Sequence, residues 1–175
     1  MISNGKFYES QFEEATIELL REAHWQYAFG DDIHRKYTDP LIEEDLRNFL
    51  TVQYKDKNLT TSEMDSIVAN LRNTGGQNDY YALRNAFLLY RDGYDFAYSD
   101  SRDNPFRMEY IDFEHPDHNI FRCVNQFVMG QGRENRRPDI LLFINGIPVC
   151  IIELKNPTKQ NATIRDAHTQ ICTRY

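Results

Sequence analysis

The sequence predicts an α/β or mixed α+β domain: a helical first half, then strands, then a closing helix. Three observations carry that reading. Apolar residues recur at helical spacing in four segments before Gly93. From Arg107 the pattern changes to the two-residue alternation of strands. The stretch DILLFINGIPVCII, residues 139–152, then places two apolar runs around Asn145-Gly146, a strong hairpin signal. A chain of 175 residues can bury a core as one domain. Within it, 1–104 reads as the mainly helical part and 105–175 as the sheet part.

Each element has a local cause. Ser10 with Glu13 has the form of a capping box, and Phe12, Ala15, Leu19, Leu20 and Ala23 follow at helical spacing. Asp39-Pro40 reads as an N-cap with proline at the first helical position, and Leu41, Ile42, Leu46, Phe49 and Leu50 supply the apolar face. Thr60 or Thr61 opens a helix through Met64, Ile67, Val68 and Leu71, with Gly75-Gly76 as its stop. Asp79 opens another, through Leu83, Ala86, Phe87 and Tyr90, closed by Gly93. Residues 94–105 are polar and rich in Asp, and read as a loop. Residues 108–113 alternate as a strand, 114–118 turn at Pro116, and 120–129 read as a second strand. After a charged loop come the hairpin, a loop over 156–160, and a helix from Asn161 or Thr163 onward.

Composition narrows the class. With 41% hydrophobic and 13% aromatic residues the chain is ordinary globular. No apolar run reaches membrane length and no leader pattern opens the chain, so a cytoplasmic protein without membrane partners is expected. Cys123, Cys150 and Cys172 have no framework spacing and read as reduced thiols. Net charge is −7, but it is uneven: residues 131–175 hold seven Lys/Arg against four Asp/Glu. The basic character therefore gathers around the hairpin, where a phosphate-binding face is possible but not demanded.

The hairpin carries charges only at one end: Asp139 ahead of the first strand, Glu153 and Lys155 after the second. Two-residue alternation sets Glu153 and Lys155 on one face, with Leu154 opposite. Register decides whether Asp139 joins them. A regular two-residue turn pairs Asp139 with Ile152, on the wrong face; an odd loop or a bulge brings it to the face of Glu153. Carboxylates held close repel each other, and a divalent cation between them removes that cost. Hard oxygen ligands suit Mg²⁺, and a cation-bound water has a lowered pKa. A neighbouring lysine can orient such a water and screen a phosphate. The motif by itself is short, and Glu153 with Lys155 is also compatible with a surface ion pair at a strand end.

Pro138-Asp139, thirteen residues, then Glu153-Leu154-Lys155 resembles the PD-(D/E)xK nuclease superfamily. RPDILLFINGIPVCIIELKNP resembles more closely the N-terminal endonuclease domain of type I restriction enzyme R subunits (HsdR). YIDFEHPDHNIFRCVNQF and the opening FEEATIELL resemble the same family. The resemblance implies a restriction-endonuclease-like fold, a mixed central sheet flanked by helices, and Mg²⁺-dependent cleavage of double-stranded DNA. Asp139, Glu153 and the backbone carbonyl of Leu154 would bind the metal, and Lys155 would assist the attacking water. Glu13 or Glu14 would add a ligand from the opening helix, although Glu13 also fits its capping box. Gln170 and Tyr175 resemble a Gln…Tyr pair on the following helix, but five residues place them about 140° apart on a regular helix.

No stop signal follows Tyr175 and no G-x-x-x-x-G-K-[ST] loop occurs, so the chain is expected to be truncated. ATP-driven translocation, and assembly with specificity and methylation subunits, would involve the region beyond it. Two other readings stay open: a catalytically silent DNA-docking or assembly module, and a repair nuclease of the same superfamily.

Further candidates are weaker. Arg136 and Arg137 precede Pro138-Asp139 and fit phosphate contact or a solvated loop equally well. Arg133, Lys159 and Arg165 follow them. His24, His34, His115, His118 and His168 lack ligand spacing such as H-E-x-x-H, and His115 with His118 reads as a surface pair in a turn. Trp25 and Tyr80-Tyr81 read as core or partial core rather than base-stacking platforms.

Overall fold

A computed structural model describes residues 9–74, 78–100, 103–130, 135–155 and 164–174. The chain forms two compact units, 1–41 with 121–175, and 42–120. The first holds helix α1 (Glu9–Glu22), strands β1 (Gln26–Phe29), β4 (Phe121–Asn125), β5 (Ile140–Ile144) and β6 (Ile147–Ile152), and helix α5 (Ile164–Arg174). The second holds helices α2 (Glu43–Gln53), α3 (Thr61–Arg72) and α4 (Asp79–Asp92), with strands β2 (Tyr94–Phe96) and β3 (Phe106–Met108). The helical half is therefore not one body, because α1 belongs with the sheet.

The sheet of the first unit has the order β1-β4-β5-β6. β1 pairs parallel with β4, and the other pairings are antiparallel, so the sheet is mixed. Parallel neighbours need a long crossover. Here the crossover contains the entire second unit. β1 is absent from the sequence reading, because four residues with no strict alternation carry little strand signal. Gly30, just after β1, packs against the backbone of β4's exit. A Cβ there would lie 2.5 Å from the carbonyl oxygen of Gln126. Gln126 itself has φ +54°, which ends β4 well short of the expected Met129. Residue 129 instead makes an isolated bridge with Arg136.

β5 is central and largely buried, with Ile140, Leu141 and Phe143 in the core beside Cys123, Val124 and Phe127. β6 lies at one edge of the sheet among the described residues, so coverage of both faces does not extend to it: Val149 and Cys150 are exposed. The buried thiol is Cys123 alone among the three free cysteines.

In the second unit Leu46 and Leu50 of α2 and Ile67 and Val68 of α3 are buried, as are Phe96, Met108 and Tyr110, and the Tyr110 hydroxyl donates to the Ile67 carbonyl at 2.8 Å. α3 starts as expected, with Thr60 and Glu63 forming a complete capping box. α4 begins after Asn78, and Gly93 at φ +62° caps it. Three expectations are corrected. Asp39 does not cap α2, which begins at Glu43. Its carboxylate accepts from the Leu41 amide in a local turn instead. Residues 94–105 are not all loop, because β2 pairs antiparallel with β3. The alternation over 108–113 does not extend β3 past Met108, because Asp112 turns the chain on its own side chain. The expected stop at Gly75-Gly76 and the loop over 156–160 lie outside the described residues.

Candidate active site at the open end of the hairpin

The turn Asn145-Gly146 has both residues at positive φ, +50° and +74°, the conformation that Asn-Gly adopts in two-residue hairpins. Ile144 pairs with Ile147, and Phe143 with Pro148. The register then shifts: Leu142 pairs with Cys150, and Ile140 with Ile152. Val149 is the additional residue of a β-bulge, two residues of β6 opposing one of β5. Continued one position past the Ile140–Ile152 pair, this register puts Asp139 opposite Glu153 rather than opposite Ile152. The turn is thus regular, and the bulge supplies the change of face that the two carboxylates need.

Two contacts fix this end of the hairpin. Leu154 donates its backbone N–H to Asp139 Oδ2 at 2.7 Å, tying the start of β5 to the exit of β6. Lys155 Nζ lies 3.7 Å from Glu153 Oε2. The Glu153 side chain is only 1% exposed, whereas that of Lys155 is 26% exposed. A carboxylate this deep at a strand end costs desolvation energy and is kept where charge or hydrogen bonding compensates.

Glu13 takes a different role from a cap. Ser10 lies inside α1, not ahead of it, so the expected capping box is absent. Glu13 Oε1 accepts hydrogen bonds from Asn125 Nδ2 at 2.7 Å and from Gln126 Nε2 at 3.4 Å. Asn125 pairs with Ile140, the residue after Asp139. Tyr27 donates its hydroxyl to Asn125 Oδ1 at 3.0 Å, so the amide is fixed from both sides. Burial, then the nearby Glu13 carboxylate, pushes the Tyr27 hydroxyl above its ordinary pKa. An open cavity of about 420 Å³ lies here, lined by Glu13, Glu14, Tyr27 and Asn125 among others. Glu14 is exposed. Sequence reasoning attached no role to Asn125, Gln126 or Tyr27. The Asn-Gln-Phe triplet was their one visible signal.

Arg136 and Arg137 are exposed on the approach to β5, and Arg136 exchanges both backbone hydrogen bonds with Met129. Gln170 falls within α5, but its side chain, like Lys159 and Tyr175, lies outside the described residues. No helix among the described residues is long and apolar enough to cross a membrane.

A mixed sheet whose neighbouring strands deliver Asp, Glu and Lys to one end defines a nuclease-like α/β fold. The family model for the N terminus of type I restriction enzyme R proteins (HSDR_N) matches residues 6–175, and the chain belongs to that family. It is 29% identical over 175 residues to the type I restriction enzyme HindI endonuclease subunit of Haemophilus influenzae, an alignment covering 94% of this chain and 16% of that protein. A putative type I restriction enzyme MjaIXP endonuclease subunit of Methanocaldococcus jannaschii is 29% identical over 163 residues, covering 89% of this chain and 16% of the relative. The chain thus spans about one sixth of the length of these curated relatives.

Proposed function

We propose that the chain is the endonuclease domain of a type I restriction enzyme R subunit and hydrolyses phosphodiester bonds of double-stranded DNA with Mg²⁺. The observation that carries this reading is the bulge at Val149, which sets Asp139 level with Glu153 beside Lys155. The donor set fits the metal: the carboxylates of Asp139 and Glu153 and the carbonyl of Leu154 are hard oxygens. When bound, the ion would supply Lewis acidity toward a phosphate and lower the pKa of a water.

The protein's own groups do the rest. The Leu154 amide fixes the orientation of Asp139. Lys155 pairs with Glu153 in the free protein and would orient the attacking water and screen a scissile phosphate. Glu13, held by Asn125, is the better candidate than Glu14 for a further ligand. Arg136 and Arg137 would grip flanking phosphates, contacts that position DNA without reading its sequence. Lys159, Gln170 and Tyr175 extend the same DNA-facing proposal beyond the described side chains. Sequence readout would come from specificity and methylation subunits, and ATP-driven translocation from a downstream region of a cytoplasmic complex.

The test is Lys155→Ala in the full-length R subunit assembled with its partners. DNA cleavage should fall by about 10²-fold or more, the usual scale for a group assisting proton transfer, while ATP hydrolysis persists. Unchanged cleavage would leave the domain as a docking or assembly module.

A further inference from the structure

In the second unit the turn between β3 and β4 brings three ligand-type side chains together. Asp112, His115 and His118 each present one atom, and these atoms lie within 4.8 Å of one another. Asp112 Oδ2 is 3.0 Å from His118 Nδ1 and 3.7 Å from His115 Nδ1. Bonds of about 2.0–2.2 Å around a tetrahedral zinc put neighbouring ligand atoms about 3.3–3.6 Å apart. The two measured spacings bracket that value. The imidazoles stack with centroids 4.9 Å apart and planes 17° from parallel, so their Nδ1 edges open toward the same carboxylate.

The carboxylate is held in place by other groups. The amides of Glu114 and His115 donate to Asp112 Oδ1 at 3.0 and 2.8 Å. Gln53 Nε2 donates to Oδ2 at 3.1 Å, using one of its two lone-pair directions. Asn119 closes the turn from the far side, accepting from the Asp112 amide and donating to the Asp112 carbonyl. Asp112 is thus a buried, pre-oriented ligand whose other Oδ2 direction meets His118 Nδ1 at 3.0 Å, the hydrogen bond that a bound cation would replace. Outer hydrogen bonds of this kind are what fix ligands in metal sites.

We propose that Asp112, His115 and His118 form a zinc-class divalent cation site, built from different residues than the Asp139–Glu153 centre. Two imidazole nitrogens and one carboxylate oxygen suit zinc, whereas an all-oxygen set suits Mg²⁺. Three protein ligands leave a fourth position for water or a donor from another molecule. Both histidine side chains are more than half exposed, so that position faces solvent. Bound to the folded chain alone, the ion clamps the turn and raises the stability of the chain with metal concentration.

The experiment is a competition titration of Zn²⁺ into the full chain against a chromophoric chelator, with His115→Ala/His118→Ala as the variant. The variant removes the His118–Asp112 contact but keeps the Glu114 and His115 amides, Gln53 and Asn119 that hold the Asp112 turn, and circular dichroism checks the fold. Losing one outer hydrogen-bond partner costs about 10–100-fold in metal affinity, so losing two ligands should cost at least about 100-fold at one equivalent. Cys172 Sγ lies 3.6 Å from His168 Nε2 on α5 and could compete, so both proteins carry Cys172→Ser. Co²⁺ gives a second readout: an N/O site shows d–d bands without a thiolate charge-transfer band. Equal zinc affinity in the variant, or cobalt bands only with thiolate character, overturns the proposal.

Discussion

At the residue scale, the candidate chemistry depends on carboxylates held in fixed orientations by hydrogen bonds. Asp112 is the clearest case. Hydrogen bonding from the His115 amide, with Gln53 and His118 adding to it against the cost of burial, holds its carboxyl below the usual carboxylate range. The unfolded chain therefore takes up a proton at Asp112 more readily than the folded chain. The stability this group contributes is present above about pH 4 and is lost as pH falls toward the lower folded value. Asp112→Asn should flatten the pH dependence of unfolding in that acid window while lowering stability at neutral pH, as read by denaturant titration at a series of pH values. An unaltered acid slope would mean that the turn does not depend on an ionised Asp112. His115 and His118 were visible as a surface pair, but their convergence on Asp112 was not. It needs the turn that Asp112 and Asn119 build, which no spacing rule encodes.

At the element scale, the hairpin was legible because its signals are local: Asn-Gly, apolar runs on both sides, and charges only at the ends. The need for a change of face was also legible. Its location was not, because a bulge at Val149 is decided by packing of an edge strand rather than by turn chemistry. β1 and β2 escaped for a similar reason. Strands of four and three residues gain their identity from partners 96 and 10–14 positions away in sequence, a few apolar residues being no signal alone. Glu13 fitted a capping box locally, yet its partner is 112 residues distant. The bulge makes a sharp prediction. Deleting Val149 should remove the bulge but keep Leu142 opposite Cys150, so Asp139 stays level with Glu153. Deleting Ile151, beyond the bulge, should bring Glu153 opposite Ile140, on the other face from Asp139. Far-UV circular dichroism should stay close to that of the parent in both, while divalent-metal binding at this centre and DNA cleavage in the assembled enzyme persist in the first variant and disappear in the second. Retention of both activities in the Ile151 deletion would show that the register does not set the site.

At the scale of the whole molecule, charge and topology are arranged around the hairpin's open end. Residues 1–130 carry 13 Lys/Arg and 23 Asp/Glu, whereas residues 131–175 are net basic. The basic segment contains β5, β6 and the arginines that lead into them. The second unit is inserted between two strands that lie side by side, so the sheet's centre is completed only after residue 120. The most direct measurement of the central claim is calorimetric titration of Mn²⁺, a Mg²⁺ surrogate, into the chain and into its Asp139→Ala/Glu153→Ala variant. Wild type should bind at least one more equivalent than the variant. Equal stoichiometry and affinity in the two proteins would contradict a shared metal centre at Asp139 and Glu153.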